Sequence, residues 1–144
     1  MQNMLRRDFL SLSMLAFGAG TQGAGNGDSL NALYGNAGVA STLIAGSGTD
    51  YLAVAGSAGT TLTGGAGHDT FAFPNVMGHD EVTNFGLAKD TLQFNATLFS
   101  NFTAAMNHAS QSGANTVFAI DANDTVTLDN VTKTSLTSSN FHFT

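Results

Sequence analysis

Two aspartates, Asp50 and Asp69, close the glycine-rich stretches AGSGTD (45–50) and GGAGHD (64–69), and they are the residues best placed for chemistry in this chain. Glycine turns adopt backbone conformations closed to other residues and leave their carbonyl oxygens exposed. The carbonyls of Gly46 and Gly48 in one turn, and of Gly64, Gly65 and Gly67 in the other, are therefore expected to join the two carboxylates. Oxygen-only ligation of this kind suits a hard cation, above all calcium. The same residues also suit a plain corner, in which an aspartate hydrogen-bonds its own turn without any metal.

Each turn leads into three extended residues, and the unit recurs as NAGVASTLI (36–44), AGSGTDYLA (45–53), AGSAGTTLT (55–63) and GGAGHDTFA (64–72). Nine residues cannot bury an apolar face alone, so such units must stack into a solenoid. The middle extended residue, Leu43, Leu52, Leu62 or Phe71, is expected to be the only one of each unit pointing inward. These positions are spaced nine, ten and nine apart, which marks Val54 as a single extra residue between turns.

Residues 64–71 match the nonapeptide G-G-x-G-x-D-x-U-x at every specified position, and 45–52 match it except for Ala45. The chain thereby resembles the RTX or hemolysin-type calcium-binding repeats. The likeness continues through FAFPNVMGHDEVTNF (71–85), AKDTLQF (88–94), SQSGANTVFAI (110–120), DTVTLDNV (124–131) and the closing FHF, so it spans residues 23–144. It implies a parallel β-roll with two nonapeptides per coil of about eighteen residues, turns alternating between two sides and calcium ions sandwiched between stacked turns. The turns of Asp50 and Asp69 fall on one side, and those ending at Ser41 and Thr60 on the other. A further turn, GAGNGDSL (23–30), offers Asp28 for a second ion on the Asp50 side. Asp80 resembles the aspartate that serves a last ion at the end of such repeats, with Asn84 where the family has a second aspartate. The resemblance also implies an extracellular protein whose last few tens of residues address type I secretion machinery.

The expected architecture is thus all-β: a parallel β-roll (nonapeptide solenoid) over 23–75, then a mostly β C-terminal cap with one short helix over 76–144. In the cap, DEVTNF (80–85) and DTLQF (90–94) alternate as strands. Leu98, Phe102, Ala105 and Ala109 have helical spacing over 97–110, and Gly113 is expected to stop that helix. NTVFAI and DTVTLDNV predict a hairpin around Asp121–Asp124, and Phe141 and Phe143 a final strand. Residues 1–22 carry Arg6-Arg7, Phe9-Leu10 and a short apolar run, which fits either a twin-arginine export signal or a helix capping the first coil. That run is too short to anchor in a bilayer.

Composition narrows the function classes. The 144 residues include 17 glycines, one proline and no cysteine, and the net charge is −6 with only four Lys and Arg. Acidic balance disfavours nucleic acid and anionic membranes as partners. Without cysteine there is neither a disulfide framework nor a thiolate metal site, and calcium can take over the stapling. No H-E-x-x-H, G-x-S-x-G or C-x-x-C occurs, the sole glutamate is Glu81, and the four histidines are scattered, so no enzyme is expected. The GAGNG and GGAG runs lack the lysine and following helix of a phosphate loop. The function that follows is a calcium-binding module that folds on extracellular calcium and supports secretion. A structural or adhesive surface protein and the C-terminal module of a secreted hydrolase or epimerase are the alternatives.

Overall fold

Short apolar–polar alternation between glycine bends folds the chain into twelve strands and one helix in the computed structural model, which describes residues 21–23, 31–56, 58–74 and 78–144. Residues 1–20 of the N-terminal signal or capping helix, and Asp28 with its turn, lie outside the described residues, whereas Thr21 and Gln22, placed in that segment by the sequence, already pair as a strand of the solenoid. The strands are β1 (Thr21–Gly23), β2 (Asn31–Tyr34), β3 (Ser41–Ile44), β4 (Asp50–Ala53), β5 (Thr60–Thr63), β6 (Thr70–Phe73), β7 (His79–Thr83), β8 (Thr91–Phe94), β9 (Ala109–Ser112), β10 (Asn115–Ala119), β11 (Thr125–Leu128) and β12 (Phe141–Phe143). Helix α1 spans Phe102–Asn107.

From β1 to β8, successive strands alternate between two sheets, so the chain winds as a solenoid. One sheet has the order β1-β3-β5-β7-β11-β10-β9 and the other β12-β8-β6-β4-β2. Pairing is parallel throughout β1–β8. Parallel pairing at constant register stacks like on like. Leu43, Leu62, Val82 and Leu128 form one inward column, each with no exposed surface. Leu33, Leu52, Phe71, Leu92 and Phe141 form the facing one. Burying each such side chain contributes roughly 1.5–3 kcal/mol, which no single nine-residue unit could accumulate.

Three expectations are corrected. Each strand buries a second position, two residues before the apolar one: Asn31, Ser41, Asp50, Thr60, Asp69, Asp80 and Asp90 all face inward. A strand's period of two demands this, because residues two apart share a face. Val54 is not a lone insertion. Asn31 pairs with Asp50 and Ser41 with Thr60, so the first coil is nineteen residues in both sheets and later ones lengthen to 20 from Thr60 to Asp80 and 21 from Asp69 to Asp90, and Val54 is buried within the core where the longer arc bends. Finally, α1 ends at Asn107, where the His108 amide caps it, while Gly113 (φ 60°) serves the turn between β9 and β10.

The cap closes the open end by extending both sheets. β11 adds parallel to β7 and carries the antiparallel β10 and β9, while β12 adds parallel to β8. Edge pairing of this kind removes unpaired backbone groups that would recruit other chains. Phe94, Phe99, Phe118 and Phe141 pack between the cap and the last coil, with ring centroids 5.0–6.5 Å apart.

Candidate metal centre

Because successive strands run in opposite directions around the coil, strands of the two sheets begin at opposite edges. On one edge, at the start of β2, β4, β6 and β8, the column reads Asn31, Asp50, Asp69, Asp90. Asp50 and Asp69 therefore stand on consecutive rungs of one column, and the position one coil below Asp50 belongs to Asn31. Spacing along it is 19, 19 and 21 residues.

Each carboxylate ties its own turn to a neighbouring rung. Asp50 Oδ2 accepts the Gly46 amide at 2.7 Å and Asp69 Oδ2 the Gly65 amide at 2.7 Å. Asp90 Oδ2 accepts the Gly86 amide at 2.7 Å. The other oxygens reach back: Asp90 Oδ1 accepts the Asp69 amide at 3.0 Å, Asp69 Oδ1 the Asp50 amide at 3.2 Å, and Asp50 Oδ1 the Asn31 side-chain amide at 2.7 Å. Burial raises the Asp69 carboxyl above its ordinary value, opposed by the Gly65 amide and reinforced by the charge of Asp90. A stack of desolvated carboxylates stays ionised more readily beside a cation.

Among the described residues, two gaps separate the stacked turns on this edge. In the lower gap, between 45–50 and 64–69, backbones approach so closely that a Cβ on Gly65 would lie 1.7 Å from Gly46 O, and one on Gly67 1.7 Å from Gly48 O. The Gly46 and Gly48 carbonyls thus point at the turn above, where Gly46 O accepts the Ala66 amide at 3.1 Å and keeps its second lone pair. Among the described residues no three acidic or histidine side chains converge, so an ion here would rest largely on backbone carbonyls. That donor set is all oxygen and fits calcium. Each carboxylate oxygen with one N–H donor keeps a lone pair for an ion.

The carbonyls of Gly64 and Gly65 do not join that gap. Gly64 O accepts Asn84 Nδ2 at 2.7 Å and Gly65 O accepts Lys89 Nζ at 2.5 Å, both from the turn above. Asn84 adopts a left-handed conformation (φ 58°) that asparagine tolerates better than most residues.

Among solved structures the chain is similar to the extracellular lipase LipA from Serratia marcescens, with a TM-score of 0.67 and 25% identity. The chain folds as a parallel β-roll. The match covers 86% of this chain and spans 19% of the lipase's length. No protein-family model matches the chain, and a search of curated proteins finds no match.

Asp80 stands on the opposite edge of the β-roll, above Ser41 and Thr60. Its Oδ1 accepts the Thr60 amide at 2.7 Å, while Oδ2 is buried without a hydrogen-bond partner among the described residues. Burial lifts its carboxyl from 3.8 to about 7, the Thr60 amide opposing and the charge of Asp124 adding. Asp124 in turn accepts the Gly78 amide at 2.9 Å.

Of the functional positions, Asp90, Asn31 and Lys89 escape the nonapeptide pattern. Asp90 has a signal nonetheless: D-T-F-A-F at 69–73 is echoed by D-T-L-Q-F at 90–94. His68 Nδ1 donates to Lys89 O at 3.0 Å, and His108 Nδ1 to Ala104 O at 2.9 Å, so both rings have local partners.

Gly67→Ala tests the close stacking. Its methyl would meet backbone, which cannot rotate away, and overpacking of this kind costs typically about 1–3 kcal/mol. Urea unfolding should show that loss; an unchanged midpoint would mean that the turns are not in contact.

Proposed function

We propose that this chain is a calcium-dependent folding module of a secreted protein, with an ion held in the lower gap by Asp50, Asp69 and the carbonyls of Gly46 and Gly48. The observation that carries the reading is the direct stacking of two glycine turns whose carboxylates occupy one column. Calcium supplies positive charge there, binding carboxylates and carbonyls that otherwise crowd each other. The chain's own residues supply the rest. Gly65 and Gly67 let the turns meet, the Gly46 and Gly65 amides orient the carboxylates, and the Leu52 and Phe71 column fixes the rungs.

The likeness to an extracellular lipase, of which this chain spans a small part, supports a module that serves a larger secreted protein rather than one that performs the chemistry. In a compartment poor in free calcium the repeats stay loose enough to pass a type I secretion channel; outside, where modules bind calcium at about 10⁻⁴–10⁻³ M, they close. An ion at ten times its dissociation constant adds about 1.4 kcal/mol. Among the described residues no helix is long and apolar enough to cross a membrane.

Circular dichroism with calcium and with a chelator tests the reading. Strand signal and thermal midpoint should rise with calcium. Identical spectra and midpoints in both buffers would sink it.

A further inference from the structure

The upper gap, between the 64–69 and 86–90 turns, already holds a cation, and it belongs to the chain. Lys89 occupies the turn position that Thr49 and His68 fill below. Its side chain folds back across Gly86, where a Cβ would meet Lys89 Cε at 2.5 Å and Cγ at 2.8 Å, so a larger residue there would push the stem aside. The ammonium then lies 2.5 Å from Gly65 O and 3.9 Å from Asp90 Oδ1. A carbonyl of the lower turn and a carboxylate of the upper one are the oxygen types that would otherwise face an ion.

The rest of the gap is built to need no metal. Gly86 O accepts the Lys89 and Asp90 amides at 3.0 and 2.8 Å, closing the turn on itself. Leu87 O accepts Asn140 Nδ2 at 2.8 Å from the cap, Lys89 O meets His68 Nδ1, and Gly64 O is bound by Asn84. At the other end of the column the neutral Asn31 replaces a carboxylate and donates to Asp50. Three carboxylates, Asp50, Asp69 and Asp90, therefore remain, and one divalent ion plus one ammonium would neutralise them.

The geometry points to Lys89 as a tethered cation that takes an ion's place between the Asp69 and Asp90 turns, so that the described part of this edge takes up one divalent ion rather than two. The ion count rests on the calcium reading of the lower gap; the lysine's role does not. Lys89 ties the 86–90 turn to the 64–69 turn without a metal, and leaves the calcium-dependent step to the gap below.

Calorimetric calcium titration and melting in chelator, on the full chain and its variants, test this. Lys89→Thr, which restores the residue type found at position 49, should melt lower than wild type in chelator and take up one more calcium ion per chain. Lys89→Arg should keep the wild-type melting temperature and ion count. If wild type takes up none while Lys89→Thr takes up one, the lysine's role stands and the lower site falls. Equal counts for wild type and Lys89→Thr overturn the inference, whether that count is one, leaving the lower site intact, or zero, removing both. Should Lys89→Thr not fold, Lys89→Gln keeps the stem and a donor for Gly65 O without the charge. It should melt lower in chelator and recover with calcium; melting indistinguishable from wild type in both buffers overturns the inference.

Discussion

Asp69→Ala is expected to destabilise the β-roll even in metal-free buffer and to abolish its thermal response to calcium. The metal-free loss comes from two amides. Asp69 Oδ1 accepts the buried Asp50 N–H and Oδ2 the Gly65 N–H, and alanine leaves both without an acceptor. An unsatisfied buried donor costs about 1–3 kcal/mol; with the partly exposed Gly65 amide at the low end, the sum is roughly 2–4 kcal/mol. That is a large share of the 5–15 kcal/mol typical of whole domains. Asp69→Asn separates the two roles, because its remaining oxygen still accepts the Asp50 amide while the neutral side chain weakens cation binding. Chemical denaturation with and without calcium measures both. A variant whose midpoint matches wild type in chelator would contradict the ladder, and one that keeps the full calcium-induced rise in midpoint would remove Asp69 from the metal site.

The winding of the roll was legible because it rests on local physics. Glycine-rich turns and single apolar residues at Leu43, Leu52, Leu62 and Phe71 dictate stacking, and those residues do form the inward columns. The sorting of Asp50 and Asp69 onto one edge, opposite Ser41 and Thr60, followed from counting along the coil. The inward burial of the aspartates themselves did not follow, because a charged residue next to a turn ordinarily faces water. The backbone amides of Gly46, Gly65, Gly86, Asp50 and Asp69, with the Asn31 side chain, make that burial tolerable, and donors contributed by main chain leave no mark on the side-chain pattern.

Lys89 was hidden for a related reason. The FGLAK stretch before Asp90 has Phe85 and Ala88 where the nonapeptide has its first and third glycines, so it reads as the end of the repeat. Parallel pairing shows that the stacking goes on: Thr70 pairs with Thr91 and Phe71 with Leu92. A turn whose carbonyls are taken up by its own amides, the cap and the turn below, and which carries its own ammonium, has no use for the glycine pattern. Loss of the motif marks a change in how the turn is neutralised, not the end of the coil.

On the opposite edge, stability of the metal-free chain should fall as pH rises from about 4 to about 7, with Asp80 as the principal cause. Its carboxyl is raised from 3.8 to about 7 by burial, so the folded chain holds a proton that the unfolded chain has already released across this window. Folding is therefore favoured below the unfolded value, and that advantage disappears as pH climbs through the folded one. Asp69, also raised by burial, adds in the same direction. A tenfold change in proton affinity is worth about 1.4 kcal/mol, which bounds the Asp80 contribution at about 4 kcal/mol. Asp80→Asn should flatten most of this slope. Its amide oxygen can still accept the Thr60 N–H, and its nitrogen replaces the buried Oδ2 that has no partner, with no charge to repel that of Asp124. At pH 8 in chelator the variant should be more stable than wild type, and at pH 4 the two should converge. Urea midpoints across that range decide it: parallel curves for the two proteins would mean that Asp80 is charged in the folded state throughout, compensated by contacts other than those of the Thr60 amide.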